Sequence, residues 1–324
     1  MIRSNSLAIA AVIAFVALQP VWAQQSLQLA TDANSVWIRA GELPVLQYRY
    51  NNVPFKPYVK ELCTPAGVNF LLDAPSDHLH HHALMFAVAV DGVNYWEEAP
   101  TAGREQHEKF DVTRAGAKDG AAYAEFKETV RWVPSKDSPY VLLESRNIAV
   151  CRGPQVKATV VTWRSDFELP KDAKLVTLSG SHYFGLGLRF VRSMDGSEFF
   201  NADGKEGTIF RGEERLVQSD WCAYSAAVDG KPVTVAMFGH PANPRPTTWF
   251  TMAKPFAYLS ATLNLHAEPL VVPAGKPLSL QYAVVAWDGK VGPKEIDAAY
   301  RWFVDEHSRV STSGEGVNGH EKSK

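Results

Sequence analysis

The sequence breaks into short β-type runs, and that rhythm limits what the chain can fold into. Residues 45–50, 58–63, 83–90, 122–133, 140–151, 156–163, 174–179, 233–238, 258–264 and 278–287 are rich in β-branched and aromatic side chains and are separated by Gly, Pro, Asn and Asp. Alternation is clearest in Tyr123-Ala124-Glu125-Phe126-Lys127-Glu128-Thr129-Val130-Arg131-Trp132, the pattern of an antiparallel strand with one wetted face. Asp91-Gly92, between two apolar stretches, marks a tight hairpin. Only one segment reads as a helix: Gly292-Pro293 opens it, and Ile296, Ala299, Tyr300 and Phe303 recur at helical spacing to about His307. No internal repeat and no linker rich in Pro, Gly or Ser interrupts residues 24–309. The expectation is an all-β chain, a single large two-sheet antiparallel β-sandwich domain with one C-terminal helix.

The two ends read differently from this body. Arg3, the apolar run from Leu7 to Leu18 and Val21-Trp22-Ala23 have the form of a signal peptide over residues 1–23, cleaved ahead of Gln24-Gln25. Gln19-Pro20 interrupts the run before it reaches the roughly 20 apolar residues that a spanning helix needs. The mature chain is therefore expected to be secreted or periplasmic, with no membrane span. Residues 310–324 offer Ser, Gly and charged side chains with nothing to bury, and are expected to be a disordered tail.

A hydrophobic content of 46% supplies a full core, and a net charge of −2 with dispersed Lys and Arg argues against nucleic acid as a partner. Cys63, Cys151 and Cys222 lack metal-type spacing and allow at most one disulfide.

Chemistry is most concentrated at Asp77-His78-Leu79-His80-His81-His82, where four of the ten histidines fall within five positions. Imidazole titrates near neutral pH, binds metals and hydrogen-bonds hydroxyl groups, so a cluster serves a site better than a core. If the segment is extended, His78, His80 and His82 share one face, and Asp77 and His81 the other. Neighbours on one strand face lie about 6.5–7 Å apart, close enough for His78 with His80, or His80 with His82, to meet one divalent ion, zinc or another, with Glu97, Glu98 and His107 as the candidate imported ligands. The same imidazoles, oriented by Asp77 and assisted by Arg189, can instead move protons on a sugar ring without a metal. Trp96, beside the Asp91-Gly92 hairpin, is a candidate for stacking on a sugar face, whereas Trp163, Trp221 and Trp249 read as core. Asn243 and Arg245, set among prolines, are candidates for hydrogen bonds to substrate oxygens.

The motif Asp77-His78-Leu79-His80-His81, the apolar strand after it and Asp91-Gly92-Val93-Asn94-Tyr95-Trp96 resemble the signature of the PmoA-like family of exported bacterial proteins. Residues 182–189, 221–225 and 240–249 resemble its later motifs, which adds His240 to the substrate-binding candidates. Where the family pattern has Arg and Gly after the histidine pair, this chain has His82 and Ala83. The resemblance implies a β-sandwich working in carbohydrate catabolism. It yields the expectation of a carbohydrate-active enzyme, a lyase, hydrolase or epimerase acting on glycosides or modified sugars with His78, His80 and His81 at its centre. A non-catalytic carbohydrate-binding protein and a metal-binding protein are the alternatives.

Overall fold

The computed structural model describes residues 26–312 apart from Pro154, the last six as helix backbone alone. Residues 1–23, read as a signal peptide, lie outside the described residues, as does all of the expected tail beyond Thr312.

Three antiparallel sheets account for the architecture. The largest has ten strands in the hydrogen-bonded order Leu27–Thr31, Ser35–Ala40, Leu43–Arg49, Tyr58–Leu62, Leu84–Ala87, Gly185–Arg189, Tyr258–Thr262, Thr248–Met252, Glu214–Gln218 and Thr208–Arg211. The second has eight, ordered Glu198–Asn201, Trp221–Val228, Lys231–Gly239, Leu278–Asp288, Thr159–Glu168, Leu142–Arg152, Ala121–Val133 and Arg104–Lys118. A small third sheet joins Leu270–Pro273, Leu175–Ser179, Ala89–Val90 and Val93–Asn94, the last two being the Asp91-Gly92 hairpin. The apolar run at 83–90 is therefore split, and its halves serve different sheets.

The two large sheets pack face to face. Phe86 of the ten-stranded sheet meets Trp132 and Phe167 of the eight-stranded sheet at ring-centroid distances of 6.1 and 5.9 Å, and Tyr48 meets Phe126 at 4.9 Å. Charged groups enclosed between them are paired, although Glu105 Oε1 and the Tyr282 hydroxyl have no hydrogen-bond partner. Arg146 donates from Nη2 to Glu105 and Glu144 at 2.7 Å each, and the Tyr48 hydroxyl donates to Glu128. Burial pushes the Glu105 carboxyl up to about 8 in spite of Arg146.

Leu278–Asp288 is buried along nearly all its length because both faces are covered. Leu280, Tyr282 and Val284 enter the core between the sheets, while Ala283, Val285 and Trp287 meet Ile296, Ala299 and Phe303 of the helix. That helix runs Pro293–Thr312, reaching into the segment expected to lack structure from residue 310. Among the described residues no helix is long and apolar enough to cross a membrane. All three cysteines are free.

Strand alternation places the site. In Gly185–Arg189, Leu186 and Leu188 point into the core, so Gly185, Gly187 and Arg189 face the opposite side of the ten-stranded sheet. Register puts Tyr258 opposite Arg189 and Ser260 opposite Gly187 on that same outer face, followed by Phe250 and Met252 on the next strand. Gly187 is required there, since a Cβ would lie 2.2 Å from Tyr258 Oη and 2.9 Å from Trp96 Cη2. Gly185 is constrained in the same way, since a Cβ there would lie 2.1 Å from Ala261 O.

Candidate functional site

The histidine segment is a coiled loop, not a strand, and this changes which imidazoles share a face. Successive tight turns link His78 N–H to Pro75 O at 2.9 Å and His81 N–H to His78 O at 3.0 Å, and Ala74 N–H closes the loop onto His81 O at 2.9 Å. Ala74 and Ala83 bracket it with φ of 43° and 45°, a conformation that non-glycine residues rarely adopt. The two-residue period of a strand is lost. His78 stacks on His81 with centroids 4.6 Å apart, and His80 sits edge-on to both at 5.8 and 4.7 Å. His82 turns the other way, toward Asp73 and Glu98.

Each imidazole has its own environment. His80 Nε2 lies 3.5 Å from Glu97 Oε2, and burial lowers its pKa although Glu97 opposes the shift. His81 is 7% exposed, its Nδ1 has no hydrogen-bond partner, and burial, reinforced by His80, His78 and Arg189, drives its pKa down to about 2. It is neutral at any physiological pH.

Asp77 and Arg189 brace this loop rather than line its cavity. The Asp77 carboxylate accepts from Arg189 Nη2 at 3.2 Å and Arg192 Nη2 at 2.9 Å and lies 3.0 Å from His78 Nδ1. Burial works against its charge, but these partners hold the carboxyl at about 2. The Arg189 guanidinium lies over Phe256, 3.5 Å from the ring centroid.

A cavity of about 250 Å³ opens beside the loop, lined by His78, His80, His81 and Glu97 together with the aromatic rings of Tyr183, Phe250, Phe256 and Tyr258 and with Met252. Arg211 and Glu214 complete it. The Tyr258 hydroxyl, like His81 Nδ1, is buried without a hydrogen-bond partner. Sequence reasoning did not assign Tyr183, Arg211, Glu214, Phe250 or Tyr258 to the site. They come from strands distant in the chain, and only the motif at 182–189 hinted at Tyr183.

Several expected site residues lie elsewhere. Trp96 is fully buried, stacked on Phe184 at 5.2 Å, and forms part of the site's foundation rather than a sugar platform. Glu98 does not join His78 and His80; it holds His82 Nε2 at 2.7 Å and lies 3.6 Å from the buried Lys56 Nζ. His107 is 2.6 Å from Glu128 Oε1, packed between Tyr50 and Phe110. The proposed ligand set of His78, His80, His107 and Glu98 is therefore not assembled, and among the described residues no three His, Cys, Asp or Glu side chains are grouped to hold a metal ion.

His240, Asn243 and Arg245 are likewise structural. His240 packs on Phe303 of the helix at 5.5 Å, and Asn243 exchanges hydrogen bonds of 3.0 and 2.7 Å with the Gln281 backbone. Arg245 donates to the carbonyls of Leu263, Glu268 and Pro269. A larger cavity, about 450 Å³, lies beside Trp302 of the helix and is walled by Arg114, Glu125, Arg164 and Asp166. Its charged groups are largely paired with one another, as in Arg114–Glu125 at 2.9 Å, so the smaller histidine cavity is the better candidate.

Comparison with solved structures shows a shared fold. The GH36 alpha-galactosidase AgaB from Geobacillus stearothermophilus aligns with a TM-score of 0.50 at 9% identity, over 82% of this chain and 41% of that one. AgaA, a GH36 alpha-galactosidase from the same organism, gives 0.46 at 9% identity over 82% and 41%. The Slr1438 protein from Synechocystis sp. PCC 6803 gives 0.35 at 9% identity over 86% and 100%. The chain thus spans under half the length of these galactosidases. No curated protein matches it in sequence. Residues 35–301 match the family of unknown function DUF6807, and the chain belongs to that family.

Proposed function

We propose that the chain is an exported carbohydrate-active enzyme of the acid–base type, a lyase, hydrolase or epimerase, with His80 as its proton carrier. The observation that carries this reading is the mixed lining of the cavity, in which imidazoles and Glu97 stand beside aromatic rings. A sugar ring has the matching construction, apolar C–H faces and a hydroxyl rim. The volume, just below the roughly 300–1,000 Å³ of pockets for drug-sized ligands, suits one ring. His80, kept neutral by burial and oriented by Glu97, takes a proton from a ring hydroxyl or carbon and returns it. His81, neutral, offers one ring nitrogen for a hydrogen bond. The PmoA-like resemblance of residues 77–96 supports the carbohydrate setting, and the leader-like residues 1–23 support export.

The test is a screen of purified protein on glycosides and their oxidised keto forms, followed by His80→Ala and Glu97→Gln. Loss of His80 should lower turnover about 10²–10⁴-fold, the usual worth of a positioned acid–base group. Well-folded His80→Ala with wild-type turnover would remove the loop from the chemistry. Sugar binding without turnover in wild type would make the protein a binder. A stoichiometric divalent metal lost on His80→Ala would make the imidazole a ligand.

A further inference from the structure

Glu214, two strands beyond Tyr258, and Arg211 line the same cavity and belong to a second cluster. Strand Leu175–Ser179 stops at Gly180, whose φ of 149° is open to glycine and where a Cβ would lie 2.2 Å from Phe184 Cδ2. The chain can therefore turn sharply, with Phe184 N–H donating to Ser181 O at 3.2 Å, and it presents Ser181 and His182 together. Ser181 Oγ is 3.1 Å from His182 Nδ1, and His182 Nε2 is 3.0 Å from Glu214 Oε2. Arg211 Nη2 donates to the other Glu214 oxygen at 2.7 Å.

The tautomer follows from these partners. A carboxylate only accepts, so His182 carries its hydrogen on Nε2, and the lone pair on Nδ1 faces the serine hydroxyl. The order is nucleophile, base and orienting acid. Burial lowers the His182 pKa although Glu214 opposes it, so the imidazole is a free base at neutral pH. Phe210, stacked on His182 at 3.7 Å, fixes the ring plane. Ser181 itself is only partly buried.

We propose that Ser181, His182 and Glu214 form a hydrolytic triad for short-chain O-acyl esters, a second activity independent of the His80 chemistry. Ser181 Oγ bonds to the acyl carbon as its proton passes to His182 Nδ1. The ester C–O bond then breaks, and the departing alcohol takes that proton. Water repeats the sequence: it gives its proton to His182, releases the free acid and restores the serine. Tyr183 and Arg211, both lining the adjoining cavity, are the donors at hand for the oxyanion.

The experiment treats the full chain with a fluorophosphonate probe and, separately, with p-nitrophenyl acetate. One equivalent of probe should be found on Ser181 by peptide mass spectrometry. Ser181→Ala should take no label and should lose roughly 10²-fold or more of the ester turnover. This exchange removes a single oxygen from a partly exposed residue, so it tests the idea even if His182→Gln fails to fold. Failure to label Ser181 in wild type, or undiminished ester turnover in Ser181→Ala, overturns the triad. His80→Ala should still label fully, which separates this activity from the one proposed above.

Discussion

His81 and His82 are adjacent and both nearly inaccessible, at 7% and 3% exposure, yet their protonation is driven in opposite directions. Burial disfavours the charged form of each. Around His81 the neighbours are other imidazoles, Phe256 and Tyr258, none of which offsets that penalty, and the group falls to about 2. Around His82, Asp73 Oδ1 lies 3.0 Å from Nδ1 and Glu98 Oε1 2.7 Å from Nε2, and these hydrogen bonds outweigh burial and raise its pKa. The loop therefore turns imidazoles with lowered pKa, His80 and His81, toward the cavity and His82, whose pKa is raised, toward the protein. Depth alone does not set an imidazole's charge; the partners left to it do.

The sharpest way to break this contrast is Glu98→Ala. It strips a carboxylate from both His82 and the buried Lys56, and should cost about 3–5 kcal/mol in urea unfolding, as for other broken buried pairs. A loss below about 1 kcal/mol would show that His82 is not an anchor. His82→Ala should also destabilise strongly, against the milder effect its departure from the family pattern suggests.

Acid titration should sharpen the other side. The folded value for His81 lies below its ordinary 6.5, so the unfolded chain takes up the proton first as pH falls. The stability this group confers is complete above about 6.5 and is lost on the way down to about 2, at up to about 1.4 kcal/mol per pH unit. His82 has the opposite sign: its contribution is whole below 6.5 and fades as pH rises through its elevated folded value. A His81→Asn variant should show a flatter decline between pH 6.5 and 4.5 by calorimetry. An unchanged slope would assign the acid sensitivity to other groups.

The smallest effect belongs to His78→Ala. Its pair with Asp77 is about one-third exposed on both sides, and Asp77 keeps Arg189 and Arg192, so stability should change by less than about 1 kcal/mol. A larger loss would mean that the stacked His78–His81 pair holds the loop together.

The β character was legible because alternation and turn residues are local properties. Every run named from sequence contains or overlaps a strand, and the Asp91-Gly92 hairpin and the C-terminal helix are in place. Gly185–Arg189 escaped notice because two glycines in five residues mask a strand, and Arg104–Lys118 because its many exposed charged residues dilute the apolar signal. The histidine cluster was conspicuous, but its direction was not: the strand periodicity assumed for it is broken by turns that begin at Ala74-Pro75. By itself the sequence determined the fold class and the imidazoles' address. The tertiary structure alone decided that Glu97 and not Glu98 faces His80, that His107 pairs with Glu128, and that Glu214 reaches His182 across 32 positions of chain. Such pairings depend on the order of strands within a sheet, which nearest-neighbour pattern does not encode.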